Sequence, residues 1–134
     1  FLFIMLKTED NTQDLQADIT AIILTYNEEK HIERCISSIR NFVKRIVVID
    51  SFSNDSTLNI LKKYDVEILQ NKFINQSKQL NWGLENITIK TNWILRLDAD
   101  EVLTKALIKK ISENFEVLTE PLFRVPYPFE GSTL

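Results

Sequence analysis

Four short stretches of the chain consist mainly of consecutive apolar residues, at residues 19–24, 46–49, 66–69 and 93–97. Strands that are buried on both faces are typically continuous in this way, whereas half-exposed strands alternate apolar and polar positions. The pattern therefore predicts four buried β-strands.

Segments with apolar residues at helical spacing follow these strands. Asn27 is the expected N-cap of the first helix and Asp55 that of the second. The third and fourth helices are expected at residues 77–86 and 104–114. The buried stripe of the first helix comprises Ile32, Cys35, Ile36 and Ile39. Because strand and helix alternate four times, we predict an α/β fold with an open, mostly parallel sheet and helices on both faces.

Polar residues follow three of the four predicted strands. They lie at residues 25–27, at Asp50 and at residues 98–100. Ligands of open parallel sheets bind outside the carboxyl ends of the strands, which share one edge. The sequence therefore predicts a ligand site at that edge.

The composition is that of a globular protein, with 44% hydrophobic and 26% charged residues in a chain of 134. A formal charge of −3 without a basic block argues against nucleic acid as a partner. Cys35 is the single cysteine, which excludes an internal disulfide and suggests a reducing compartment. We therefore expect a cytoplasmic protein.

The expected organisation is a tail or linker at residues 1–16 and one domain at residues 17–134. Residues 1–6 are apolar, but a membrane span needs about 20 such residues. A peripheral contact of this segment with the inner face of the membrane is kept as an alternative.

The acidic pair after the fourth strand suggests a metal. The chain has two glycines, Gly83 and Gly131, and neither lies in a strand-to-helix turn, so glycine-rich phosphate cradles are excluded. Asp98 and Asp100 can present carboxylates to Mg²⁺ or Mn²⁺, which would hold a diphosphate. An Asp-x-Asp pair is also common as a solvated turn, but its place beside the other polar strand ends favours the metal site.

Three blocks in this order resemble the inverting family 2 glycosyltransferases of the GT-A fold, which is Rossmann-like. They are residues 22–29 (IILTYNEE), 47–55 (VVIDSFSND) and 94–101 (ILRLDADE). A fourth block, residues 75–84 (NQSKQLNWGL), is similar to the branch with bacterial lipopolysaccharide-core and capsule transferases. The resemblance covers roughly residues 20–103.

The resemblance implies roles for individual residues. The loop after the first strand would line the base pocket, and Asp50 would accept a hydrogen bond from the base. Asp98 would lie towards the ribose and Asp100 towards the metal, while Lys78 lies near the place of a basic residue that faces the nucleotide. The residues of the predicted base-pocket loop are Thr25, Tyr26, Asn27 and Glu28.

The chain departs from the family pattern directly after Asp50. The family often has a second aspartate and a glycine there, and this chain has Ser51 and Phe52. An apolar ring is unexpected in this polar loop, and Phe52 is either a core anchor or the wall of a pocket.

The function implied is transfer of a sugar, with inversion, from a nucleoside diphosphate, expected to be a UDP-sugar, to a hydroxyl of a saccharide or glycolipid. Synthesis of bacterial surface polysaccharide or lipopolysaccharide is the expected setting. The family's general base is expected beyond Leu134, in an acceptor-binding half that a truncated chain would lack. Glu120 and Glu130 are expected to be solvated loop acids. The alternative is a non-catalytic domain that binds a nucleotide sugar.

Overall fold

A computed structural model describes residues 16–113 and 122–124. In these residues the strands are β1 (Ala17–Thr25), β2 (Val43–Asp50), β3 (Glu67–Gln70), β4 (Trp93–Asp98) and β5 (Leu122–Arg124). The helices are α1 (Ile32–Ile39), α2 (Thr57–Leu61), α3 (Gln76–Asn86) and α4 (Lys105–Glu113). All four predicted strands and all four predicted helices are present.

The sheet has the strand order β3-β2-β1-β4-β5. The first four strands are parallel to their neighbours, and β5 runs antiparallel to β4. The predicted open, mostly parallel sheet is therefore confirmed. The sequence pattern did not indicate β5, because three residues are too few to show a periodicity.

Helices cover both faces of the sheet, as predicted. Apolar residues of α1, α2 and α4 pack with one set of strand residues in the larger core cluster, which includes Ile23 and Leu95. On the opposite face, α3 contributes Leu80 and Leu84 to a smaller cluster around Ile22. Alternate residues of β1 thus contribute to the two clusters, which explains why most positions of residues 19–24 are apolar without alternation.

The α3 helix lies close to β2 because it carries a glycine at the contact. A Cβ atom on Gly83 would lie 2.0 Å from Cδ1 of Ile49, which is fully buried. The absence of a side chain at this position permits the close approach of helix and strand. Gly83 therefore has a packing role and not a phosphate-binding one.

The predicted N-cap of the first helix is wrong. Asn27 has a φ of 51° and precedes α1, whose N-cap position is His31 without a side-chain cap. The Asn27 side chain instead accepts hydrogen bonds from the loop after β2. Long-range bonds of this kind have no local sequence signature, whereas a capping preference does.

Asp55 acts near the start of α2, although Ser56 occupies the N-cap position. Its Oδ1 atom accepts from the backbone N–H of Thr57 at 2.9 Å. Desolvation alone would raise the pKa of Asp55, but hydrogen bonds from Thr57 and Glu29 outweigh it and lower the pKa below its ordinary value. The helix itself is only five residues long.

Several expectations concern residues outside the described ranges. These are the tail over residues 1–15, the membrane contact of residues 1–6 and the loop acids Glu120 and Glu130. Among the described residues, no helix has the length and apolar character needed to cross a membrane.

Candidate functional site

The sheet register brings three polar strand ends together at one edge. Thr25 of β1 lies opposite Asp50 of β2, and Leu24 lies opposite Asp98 of β4. The pairing of β1 with β2 continues past the strand end, since the Ser51 N–H donates to the Thr25 carbonyl at 2.9 Å. The edge predicted from the sequence is thus an actual surface of the molecule.

Asn27 ties the loop after β1 to the loop after β2. Its N–H donates to Ser53 Oγ at 2.8 Å. Its Oδ1 accepts from the N–H groups of Asn54 at 2.9 Å and Asp55 at 3.3 Å. Asn is among the few residues that tolerate a positive φ, so it can hold this bridging position at little conformational cost.

Glu28 and Glu29 extend the same connection. The Glu28 N–H donates to Thr57 Oγ1 at 2.8 Å, and the Ser56 N–H donates to Glu29 Oε1 at 2.9 Å. The Glu28 carboxylate lies 3.0 Å from Nδ1 of His31, with both side chains partly exposed. The two loops therefore form one hydrogen-bonded corner, and Glu28 also contacts His31 within it.

Asp50 lies beneath this corner and is completely buried, at 0% exposure. Its Oδ1 accepts from Thr25 Oγ1 at 2.7 Å and from Ser53 Oγ at 2.6 Å. Its Oδ2 accepts from the Ser53 N–H at 2.8 Å and from Gln70 Nε2 at 3.3 Å. A carboxylate offers about four acceptor positions, so protein donors fill the acceptor capacity of Asp50 in this structure.

Asp98 and Asp100 have the opposite surroundings. They belong to a tight turn in which the Glu101 N–H donates to the Asp98 carbonyl at 2.9 Å and Glu101 Oε1 accepts from the Asp98 N–H at 2.8 Å. Both aspartates are exposed, while Ala99 between them is buried and anchors the turn. Within residues 16–113, no protein hydrogen bond reaches either side-chain carboxylate.

Cys35 lies beside this turn, and the charges of the turn affect the pKa of its thiol. The thiol is fully buried, as predicted, and donates to the Asp98 carbonyl at 3.6 Å. Burial raises the pKa of Cys35 to about 12, with further contributions from the carboxylates of Glu101, Asp100, Asp98 and Glu28. Four carboxylates thus create a negative potential at this end of the edge, which favours binding of a cation.

The residues present fit a divalent cation of the magnesium type. In the described ranges, no group of three or more His, Cys, Asp or Glu residues is arranged to hold a metal ion. Mg²⁺, however, is commonly bound through one or two carboxylates together with water and substrate phosphates. Asp98 and Asp100 provide two such ligands with free oxygen atoms.

Two large apolar side chains lie exposed at the corner. Tyr26 is 55% exposed and Phe52 is 56% exposed. Core anchoring by Phe52 is therefore excluded. Phe52 has a φ of 60°, a conformation that favours glycine.

Lys78 lies in the first turn of α3, which begins at the same edge, and its N–H donates to Oδ1 of the N-cap residue Asn75. Its side chain is exposed and, within the described part of the chain, makes no hydrogen bond or ion pair with the other predicted site residues. Of the predicted site residues, the structure thus brings the two loops, Asp50 and the acidic turn to one edge, and places Lys78 at the start of α3 without a bond to them.

Sequence reasoning missed Gln79, which connects α3 to the edge and is only 1% exposed. Its Nε2 donates to Ser51 Oγ at 3.1 Å and to the Asn71 carbonyl at 3.0 Å. Its Oε1 accepts from Asn71 Nδ2 at 2.9 Å. The available signal was helical spacing, because Gln79 lies four residues before Gly83 and shares its buried face.

Similar proteins of known sequence include glycosyltransferases from bacteria. An uncharacterized glycosyltransferase from Rickettsia bellii is 36% identical over 101 residues, which cover 75% of this chain and 34% of the relative. The lipopolysaccharide core biosynthesis glycosyltransferase LpsC from Rhizobium meliloti is 29% identical over 100 residues, covering 71% of this chain and 36% of LpsC. The chain thus spans about a third of the length of these relatives.

Solved structures with the same fold include two transferases. S. aureus TarS in complex with UDP matches with a TM-score of 0.55 and 28% identity, over 72% of this chain and 32% of TarS. Glucosyl-3-phosphoglycerate synthase from Mycobacterium tuberculosis, in complex with Mn²⁺, UDP and glucosyl-3-phosphoglycerate, matches with a TM-score of 0.53 and 20% identity, over 60% and 33% of the two chains. The second likeness concerns the fold alone, and both support the GT-A, Rossmann-like arrangement.

Residues 20–128 match the sequence pattern of Glycosyl transferase family 2. The match includes β1 to β5 except the first residues of β1, and with them the corner and the acidic turn. The chain therefore belongs to glycosyl transferase family 2.

Proposed function

We propose that this edge of the sheet binds a nucleoside-diphosphate sugar together with Mg²⁺ or Mn²⁺, as part of an enzyme that transfers the sugar to a hydroxyl acceptor. The observation that carries the proposal is the acidic turn. Asp98 and Asp100 are exposed at the carboxyl end of β4, and no donor among residues 16–113 bonds to their carboxylate oxygen atoms. Carboxylates in this state are suited to a hard cation.

Different residues of the edge would contact different parts of the donor. Asp100 holds the metal, with Asp98 between metal and ribose. Tyr26 and the rest of the β1 loop lie against the base. Lys78 approaches the nucleotide from α3. A bound metal supplies neutralisation of the charge that develops on the leaving diphosphate.

Asp50 has a different part in the proposed site. Since its oxygens are occupied by Thr25, Ser53 and Gln70, a direct bond to the base requires one of these donors to move away. We propose that Asp50 acts mainly by positioning Thr25 and Ser53, which form the floor of the base pocket.

The proposed reaction is a single displacement. The acceptor oxygen forms a bond to the anomeric carbon as the bond to the diphosphate oxygen breaks, and the configuration inverts. A carboxylate that accepts the hydroxyl proton is expected outside residues 16–113. UDP in the TarS complex and the activity named for LpsC support a UDP-sugar donor and an acceptor of the bacterial cell surface.

A non-catalytic domain that binds a nucleotide sugar is the second candidate. Both candidates have the same donor site, but only the first transfers the sugar to an acceptor. Incubation of the chain, and of a longer protein containing it, with a UDP-sugar and a saccharide acceptor separates the two.

Calorimetry of the 134-residue chain with UDP tests the donor site. We expect binding in the presence of Mn²⁺ or Mg²⁺ and a marked loss of affinity with excess chelator. Equal affinity under both conditions would exclude the metal role of the acidic turn. Absence of binding under both would exclude the nucleotide site.

A further inference from the structure

Phe52 combines two features that are each unfavourable for folding. Its φ of 60° lies in the left-handed region, which is a genuine outlier for a bulky side chain. Its side chain is 56% exposed, so burial of the ring does not offset this strain. The folded chain gains neither from the backbone conformation nor from the position of the ring.

The residues on either side hold Phe52 in this conformation. The Ser51 N–H donates to the Thr25 carbonyl at 2.9 Å. The Ser53 N–H donates to Asp50 Oδ2 at 2.8 Å. Strained backbone persists where its surroundings over-determine it, and such positions cluster at ligand clamps and active sites. The loop thus presents the ring at a fixed position on the edge.

The position of Phe52 relative to the acidic turn indicates which part of a donor the ring can reach. Phe52 follows β2 and Asp98 ends β4, with β1 between these strands. Neighbouring strands are about 4.8 Å apart, so about 10 Å separates the two strand ends. A ligand held by its diphosphate at Asp98 and Asp100, with its base against the β1 loop, brings that base towards Phe52.

We propose that Phe52 stacks on the nucleobase of the donor and that the strained backbone is maintained to carry this ring. The inference rests on the proposed function, because it assumes a nucleotide at this edge. Stacking on an aromatic ring tolerates different bases, since every base has a π-face. Phe52 would therefore contribute affinity for the nucleoside, while hydrogen bonds elsewhere select the base.

The test compares two ligands and one substitution in the 134-residue chain. UDP carries the base, whereas ribose 5-diphosphate lacks it, and both are titrated by calorimetry with Mn²⁺ present. We expect Phe52→Gly to weaken UDP binding about tenfold, within the range of one base–aromatic stack. The affinity for ribose 5-diphosphate should stay unchanged. The thermal midpoint should rise, because glycine adopts a positive φ without strain.

Two further variants distinguish loss of the ring from other effects. Phe52→Asn tolerates the positive φ but has no ring, and it should lose UDP affinity to the same extent. Phe73→Ala is a matched control, because Phe73 is 48% exposed on the same edge but follows β3, one strand further from the acidic turn. Phe73→Ala should leave the affinity for both ligands unchanged.

Three results would overturn the inference. Unchanged UDP affinity in Phe52→Gly would show that the ring does not contact the base. An equal loss for UDP and ribose 5-diphosphate would show that the loop has shifted, and an equal loss in Phe73→Ala would show an unspecific apolar effect. If the parent chain binds neither ligand, the proposed function fails and this inference with it. If the parent binds UDP, only the role of Phe52 is in question.

Discussion

Two strand ends on the same edge of the sheet carry aspartates in opposite surroundings. Asp50 is fully buried, and Thr25, Ser53 and Gln70 fill its acceptor positions. Asp98 and Asp100 are exposed, and no protein donor within residues 16–113 reaches their carboxylates. The same residue type, at equivalent places in the fold, thus stabilises the protein in one case and is available to a ligand in the other.

The comparison shows that the strand-end position alone does not identify a ligand-binding carboxylate. What separates the two cases is whether the acceptor capacity of the carboxylate is used inside the protein. Removal of a buried partner leaves donors unpaired and costs stability. Removal of a carboxylate that has no protein donor should weaken ligand binding and leave the free energy of unfolding nearly unchanged.

The largest expected effect on stability is that of Asp50→Ala. It leaves the Thr25 hydroxyl and the Ser53 N–H without their buried acceptor, and unpaired buried groups together should cost about 3 kcal/mol of unfolding free energy. Urea denaturation followed by circular dichroism measures this loss. Asp98→Ala should change the unfolding free energy by no more than about 0.5 kcal/mol. Similar losses in both variants would remove the distinction between the two strand ends.

Next in size is the effect of Asp98→Asn and Asp100→Asn on metal-dependent binding of UDP. Each substitution removes a charge that the structure leaves free, and each should weaken binding by about 1.5–3 kcal/mol, which is roughly ten- to a hundred-fold. The fold should be unaffected. Calorimetry with Mn²⁺ present gives the affinities, and Asp65→Asn, an exposed aspartate that precedes β3 at the opposite edge, is the matched control. Parent-like affinity in both site variants would refute the metal role.

A smaller effect is expected for Asn27→Ala, which tests the hydrogen-bonded corner. The substitution removes the acceptor for Asn54 and Asp55 and places alanine at a φ of 51°. Alanine lacks the tolerance of asparagine for this region, and the strain costs about 1–2 kcal/mol. Denaturation should show a loss near this range, and Asn27→Gly should lose less because glycine relieves the strain. Equal losses of stability in Asn27→Ala and Asn27→Gly would show that the lost hydrogen bonds alone cause the effect.

The smallest effect is expected for Glu67→Gln, which lies away from both strand ends. The hydrogen bond from Arg45 lowers the pKa of Glu67, with partial desolvation opposing it. A lowered pKa stabilises the fold above the ordinary pKa of glutamate, and this contribution is lost as the pH falls through the lowered value. Since the Glu67 side chain is 50% exposed, the loss at pH 7 should be about 0.5 kcal/mol or less. The difference from the parent should vanish at acid pH in parallel denaturation curves.

The sequence predicts the arrangement of strands and helices well because burial on both faces leaves a local mark. Runs such as residues 19–24 are mainly apolar without alternation, since alternate residues face two different helix layers. The carboxyl ends of the strands follow from the same pattern. The polar edge was therefore predictable from the chain alone.

The finer organisation of the edge was not predictable. Asn27 matches a local capping preference, but its side chain bonds residues of another loop. The burial of Asp50 and Gln79 depends on partners that are distant in the sequence. A residue's type shows which bonds it is able to form, whereas only the packed fold decides which of them are formed.

The central place of β1 has a consequence for synthesis of the protein on the ribosome. Ribosomal synthesis makes β1 before the other described strands, and β1 can pair with β2 soon afterwards, but its other side pairs with β4. Thr20 of β1 and Thr91, whose hydroxyls lie 2.7 Å apart, are separated by 71 positions. At about 5–20 residues per second, one side of β1 stays unpaired for seconds while the chain grows. An unpaired apolar strand is prone to pair with other chains, so we expect the nascent protein to be open to such pairing until β4, and the acidic turn that follows it, have been made.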